Sequence, residues 1–139
     1  MKKLPEDLWN RKAIRLFLYT AVFELPIGLL FLAFPSWTAG LFFGFTMSEL
    51  TSVTVARIAG AAITFLAFLS WQSRGVASGR EGLKLARSLL LYNVLVAIIL
   101  VWYLALAKPT ALIILALIVH LLLGTLCVAV LTTKRGAEG

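Results

Sequence analysis

Four stretches of this chain, about residues 16–34, 54–71, 88–107 and 110–131, are runs of mostly apolar side chains. Each is roughly 20 residues long, the length a helix needs to cross the hydrocarbon core of a bilayer. No single soluble core can hold so much apolar surface. Of 139 residues, 61% are hydrophobic and only 14% charged, with a mean hydropathy of +0.98. A soluble domain of this size is about 45–50% apolar and about 25% charged. The expected fold is therefore an all-α integral membrane protein, an up-down-up-down four-helix transmembrane bundle. Residues 1–15 form a basic amphipathic cytoplasmic segment, 16–131 the membrane domain, and 132–139 a short cytoplasmic tail.

The net charge of +7 does not mark a nucleic-acid binder, because the charges collect at the ends of apolar runs. Lys2, Lys3, Arg11, Lys12 and Arg15 precede the first run. Arg74, Arg80, Lys84 and Arg87 lie between the second and third, and Lys134 and Arg135 follow the fourth. Eleven of the thirteen basic residues thus fall on one side, with only Arg57 and Lys108 on the other. The positive-inside rule places both termini in the cytoplasm, in a cell membrane expected to be the bacterial inner membrane. Trp9, Trp37, Trp71 and Trp102 alternate between the two sides, as an interfacial aromatic belt requires. The first run follows a basic segment, is long enough to span, and reads as an uncleaved anchor.

The connections differ in character. "KPT" (residues 108–110) is a proline turn that folds the third and fourth spans into an antiparallel hairpin. Residues 35–52, "PSWTAGLFFGFTMSELTS", are too apolar for a solvated loop and too few to span. Such a segment lies at the interface or folds into the outer mouth of the bundle. In its functional version Phe42, Phe43 and Phe45 form a lid over a lipid-facing pocket.

Packing in lipid falls to small residues. Ala56, Gly60 and Thr64 make a small-xxx-small face on the second span. Ala116, His120 and Gly124 share a face of the fourth, and Thr20, Glu24 and Gly28 share one of the first. Glu24 and His120 therefore sit on helix-contact faces, consistent with a cost of about 2.5 kcal/mol or more for a charge at mid-span. Glu24 is nine residues beyond Arg15, about 13 Å along a helix, and His120 is eleven residues before Leu131, about 16 Å. The depths nearly match, and Arg57, three residues into the second span, completes a possible three-helix cluster. Each residue has two readings. Glu24 is either a protonated hydrogen-bonded link between helices, tolerated beside the carbonyl that Pro26 frees, or a proton-, ion- or ligand-binding group. His120 is a packing donor or a ligand, and Arg57 an interfacial helix-end residue or a buried partner. Asn93 reads as glue between helices.

A compact four-span chain with a glutamate in its first span resembles the small multidrug-resistance transporters. The resemblance rests on the span count and Glu24, and it implies proton exchange against a cationic drug in a dimer. The chain departs from that pattern at its third span: the glycine-rich pattern of those transporters is missing from residues 88–107. The basic bias also fixes one orientation, whereas those proteins form antiparallel dimers.

Several chemistries are excluded. The single cysteine, Cys127, rules out an intrachain disulfide or a Cys-x-x-Cys centre and reads as a small packing residue. One deep carboxyl cannot make an aspartyl peptidase, and one histidine cannot make a bis-histidine haem site. Catalytic zinc wants three ligands, so no metal or cofactor is expected, and no enzyme acting alone. The first functional expectation is an accessory or scaffold subunit, or a partner-binding protein, of a membrane assembly. The second is a homo-oligomeric transporter or channel using Glu24 with His120. The third is a lipid or hydrophobic-ligand binder. Expected partners are membrane lipids and a protein partner or second copy, with no nucleic acid.

Overall fold

Inside hydrocarbon no water is present to satisfy backbone N–H and C=O groups, so an apolar chain closes its own hydrogen bonds by forming helices. A computed structural model describes the backbone of residues 4–77 and 79–138 and the side chains of residues 8–77 and 79–133. Lys2 and Lys3, and the side chains of Lys134 and Arg135, lie outside the described residues, as do those of the acidic first turn, Glu6 and Asp7. Among the described residues every regular element is helical: α1 (Leu4–Ala33), α2 (Pro35–Phe43), α3 (Leu50–Ser73), α4 (Arg80–Leu106) and α5 (Ala111–Glu138), with a 3₁₀ turn at Arg74–Val76. Four segments are long and apolar enough to cross a membrane: Leu8–Ala33, Leu50–Val76, Arg80–Leu106 and Ala111–Thr133.

The amino-terminal segment is continuous with the first span. Trp9 and Ala13 are buried in a cluster with Leu16 and Phe17 of α1, Leu85, Ala86 and Leu89 of α4, and Leu123, Cys127 and Val130 of α5. Trp9 is thus a core residue, 2% exposed, whereas Trp37, Trp71 and Trp102 are 49–66% exposed. The belt expected from the sequence loses that one member, because α1 extends far enough to carry Trp9 against α4 and α5. Lys12 Nζ donates to Thr133 Oγ1 at 3.1 Å, tying the same end of α1 to α5.

Residues 35–43 are not a loop but a helix. Pro35 occupies its first turn, where a fixed φ and a missing N–H do no harm. The Thr38 hydroxyl donates to Leu30 O (3.0 Å) and Phe34 O (2.8 Å), a second donor to carbonyls that also accept the N–H groups of Phe34 and Thr38 across the junction of α1 and α2. Gly44, at φ 74°, closes α2 in the left-handed region, with its N–H on Gly40 O, a conformation that a Cβ disfavours.

The tightest helix approach joins α1 to α3. A Cβ built on Gly28 would lie 2.5 Å from Thr64 Oγ1 and 2.7 Å from Thr64 N, and one on Gly60 would lie 2.8 Å from both Gly28 O and Leu32 N. Backbone atoms cannot move aside as a side-chain tip can, so these glycines set the separation of the helices. Gly60→Ala is expected to destabilise the protein by about 1–3 kcal/mol, the usual cost of overpacking. Gly75→Ala, with nothing within 4 Å of the new Cβ, should be close to neutral; unfolding in detergent compares the two.

Candidate functional site

One turn along α1 from Gly28, the side chain of Glu24 turns away from α3 and toward α4 and α5. Pro26 lies inside α1 and has no N–H to give the carbonyl of Val22, so the helix carries a local polar defect at this level. Glu24 is 3% exposed. Its Oε2 accepts a hydrogen bond from Tyr92 Oη of α4 at 3.2 Å. Its Oε1 stands 3.9 Å from His120 Nδ1 of α5, an ion-pair distance rather than a hydrogen bond.

His120 in turn is held by Asn93. The Asn93 Nδ2 group donates to Leu89 O at 2.7 Å within α4, which leaves Oδ1 as the acceptor toward the histidine. His120 Nδ1 lies 2.9 Å from it, so in this arrangement Nδ1 carries the proton and Nε2 is the free ring nitrogen. The Tyr92 ring meets the imidazole edge-on, with centroids 5.6 Å apart and planes at 74°. Tyr92 and Asn93 are adjacent in sequence yet both face the site, one to the carboxyl and the other to the imidazole. Glu24, His120 and Asn93, three of the four candidates from the sequence, therefore form one chain of polar contacts across three helices.

Arg57 does not join them. It is exposed on α3, and no ion pair to it occurs among the described residues. Gly60 packs beside Phe31 and Leu32, so Arg57, three residues earlier on α3, lies beyond that level. Glu24 is seven residues from Phe31 on α1, about 10 Å along the axis. Tyr92 is the member that sequence reasoning missed. Counting from Ser88 places it near the inner end of a span, but α4 begins at Arg80, and Tyr92 lies at the same depth as Asn93.

Glu24 and His120 line a small cavity of about 90 Å³ with Phe23, Ala116, Val119 and Phe42. Phe42 comes from α2, whose carboxyl end is fastened over this point. The carbonyl of Phe43 accepts from Tyr103 Oη at 2.6 Å, and that of Phe42 accepts from Thr110 Oγ1. The same Thr110 oxygen caps α5 by accepting the Ile113 N–H at 3.2 Å. Of the three lid candidates, Phe42 alone reaches the cavity. Phe43 packs edge-on against Tyr103, at 5.3 Å between centroids, and Phe45 is exposed, 6.0 Å from Phe43. Phe23 and Val119 also line a second, apolar groove of about 590 Å³ between α1 and α5, with Tyr19, Leu122 and Leu126.

The packing residues divide. Gly28, Gly60 and Thr64 meet at the contact of α1 with α3, and Ala56 is buried on the same helix α3. A Cβ built on Gly124 would lie 3.8 Å from Asn93 Cβ, an ordinary contact, while Ala116 lines the cavity. No group of three metal-ligating side chains gathers among the described residues.

A comparison of the chain with protein-family models finds no match, and comparisons with curated proteins and with solved structures find none either.

The Asn93–His120 contact is expected to be worth about 0.6–1.7 kcal/mol, the range of hydrogen bonds between helices in a membrane. A double-mutant cycle of Asn93→Ala and His120→Ala, read by unfolding in detergent or bicelles, measures it. Purely additive losses would show that the two side chains do not interact.

Proposed function

We propose that the protein is a multi-pass membrane protein that binds a hydrophobic ligand, with its polar head against Glu24 and His120. In this reading the four long helices alternate across the membrane, both termini are cytoplasmic, and the membrane is a cell membrane, in a bacterium the inner one. The observation that carries it is the adjacency of two cavities, with Phe23 and Val119 bordering both. A pocket of about 90 Å³ lined by Glu24, His120 and Phe42 shares Phe23 and Val119 with an apolar groove of about 590 Å³.

The chemistry of the head follows from which atoms are free. Oε2 of Glu24 is occupied by Tyr92, and Nδ1 of His120 by Asn93. Oε1 of Glu24 has only the 3.9 Å approach of the imidazole, and Nε2 of His120 is the free ring nitrogen. Both are acceptors, so the head that fits is a donor, an amine or a hydroxyl. A volume near 90 Å³ corresponds to about three waters at about 30 Å³ each, which limits the head to a few heavy atoms. The tail lies along the apolar groove, and Phe42 closes the outer side.

A second reading, an accessory subunit held by a partner helix, draws support from α3. That helix packs along α1 and leaves Arg57, Ala61, Phe65 and Phe68 exposed. A homo-oligomeric proton-coupled carrier would use the 3.9 Å pair of Glu24 and His120 and needs a second copy to enclose a path.

The test is lipid and small-molecule analysis of protein released gently from its own membrane. Bound hydrophobic ligand is expected to survive purification and to be lost in Phe42→Ala. Glu24→Gln keeps an acceptor for Tyr92 but weakens the head contact; its affinity should fall about tenfold, the scale of one hydrogen bond to a charged group. Protein that carries no ligand but elutes with another chain would replace this reading by the accessory-subunit one.

A further inference from the structure

On the other flank of α1 a separate groove combines an apolar trough with a fixed basic group. Ala21, Val22 and Leu25 of α1 and Ala67, Phe68 and Trp71 of α3 wall a cavity of about 300 Å³, every lining side chain apolar. It shares no residue with the pocket of Glu24 and His120.

At the end of the groove where Trp71 stands, α3 gives way to the turn that begins at Arg74. Arg74 Nε donates to Trp71 O at 2.9 Å, and its guanidinium carbon lies 3.4 Å from the centroid of the Trp71 ring. A guanidinium clipped to a carbonyl and stacked on an indole has already lost much of its rotamer freedom. Its two terminal amino groups keep donors for a further partner. The opposite side has a matching charge. Arg15, exposed on α1, is seven residues before Val22, and residues seven apart share a helix face. Gly28 packs on Thr64 and Leu32 on Gly60, so lower numbers on α1 meet higher numbers on α3, and Arg15 belongs to the Trp71 end. Neither arginine lines the cavity itself; one follows its α3 wall and the other precedes its α1 wall, both toward the Trp71 end.

The reach from the basic group to the far end of the groove points to a lipid. The apolar walls run from Ala21 to Leu25 and from Ala67 to Trp71, about 6 Å along each helix; counted from Arg15, the track to Leu25 is ten residues, about 15 Å, half of a hydrocarbon core of about 30 Å. That is the depth of one leaflet.

We infer that this groove is a binding site for an anionic phospholipid, one acyl chain lying along Val22, Leu25 and Phe68 and the phosphate held between Arg74 and Arg15. Arginine suits this role because its planar fork matches phosphate oxygens. A zwitterionic lipid offers the same phosphate but brings a cation that both arginines repel, so net negative charge is what the site selects.

Brominated lipids test the site, because bromine quenches tryptophan at contact. The protein is reconstituted in phosphatidylcholine vesicles with a minor fraction of brominated phosphatidylglycerol, or the same fraction of brominated phosphatidylcholine. The Trp71 signal is the difference between wild type and Trp71→Phe. Quenching should favour phosphatidylglycerol, by about fivefold for each arginine engaged, the scale of one basic residue at an anionic surface. Arg74→Gln should remove about one such factor, while Arg80→Gln, at the same end of the protein but off the groove, should leave the preference unchanged. Arg15→Gln, beyond the other wall, must lower it as well, and reads the site if Arg74→Gln does not fold. Equal quenching by the two lipids overturns the inference. So does an equal loss in Arg80→Gln and Arg74→Gln, the signature of general attraction to a basic surface.

Discussion

In helices long and apolar enough to cross a membrane, polar groups are best satisfied by the chain itself, and several irregular features of this protein answer that demand. Four helices meet it by closing their own ladders. The junctions between them cannot, because the last carbonyls of a helix have no partner within it. At the end of α2 hydroxyls fill the gaps, Tyr103 and Thr110 donating to the carbonyls of Phe43 and Phe42; at its start Thr38 adds a second donor to carbonyls that the backbone already engages. A nine-residue helix would have little reason to stay folded by itself; α2 holds because both its ends are fastened to longer helices.

The same demand explains how Glu24 links the protein. On α1 the side chains of Glu24 and Gly28 are four residues apart and nominally share a face. Each step of four advances about 40° around a helix of 3.6 residues per turn, so the stripe drifts as it climbs. At Gly28 it faces Thr64 and Gly60 of α3; at Glu24 it faces Tyr92 of α4 and His120 of α5. One stripe on one helix thus binds α3 by close backbone approach and the α4–α5 pair by polar contacts.

Much of this was legible in the sequence, and the misses have identifiable causes. The spans are visible because hydrophobicity over some 20 residues is a sum in which single errors cancel. The pairing of Glu24 with His120 was legible from depth alone, since only residues at one level can meet. Arg57, three residues into the second span from the opposite side, entered as a third partner only if its long stem reached inward; it is exposed on α3 beyond the level of Phe31, too far along the axis to join them. Tyr92 was passed over because an aromatic toward the inner end of a span was read as interfacial, although its neighbour Asn93 was kept as a polar candidate. Trp9 was likewise assigned to the interface by type, and a longer α1 carries it into the core. In residues 35–43 the apolar content was read correctly as neither loop nor span, but the helix depends on Pro35 and on hydroxyls distant in sequence, which no local pattern announces.

The cavity beside Glu24 is best understood against the core that lies along the helices from it. Phe17, Leu89, Leu123 and Cys127 pack together among α1, α4 and α5, each at most 4% exposed. About two turns further along α1 from Phe17 stands Glu24, and one and two turns along α5 from Leu123 stand His120 and Ala116, which together line a recess of about 90 Å³. The recess opens past Leu115, which is exposed, and a leucine in place of Ala116 would narrow it. A site serving only to join helices gains nothing from standing open next to its own carboxyl group. A site that receives a ligand needs both the space and the free oxygen, and a ligand that fills it recovers the contacts the void forgoes.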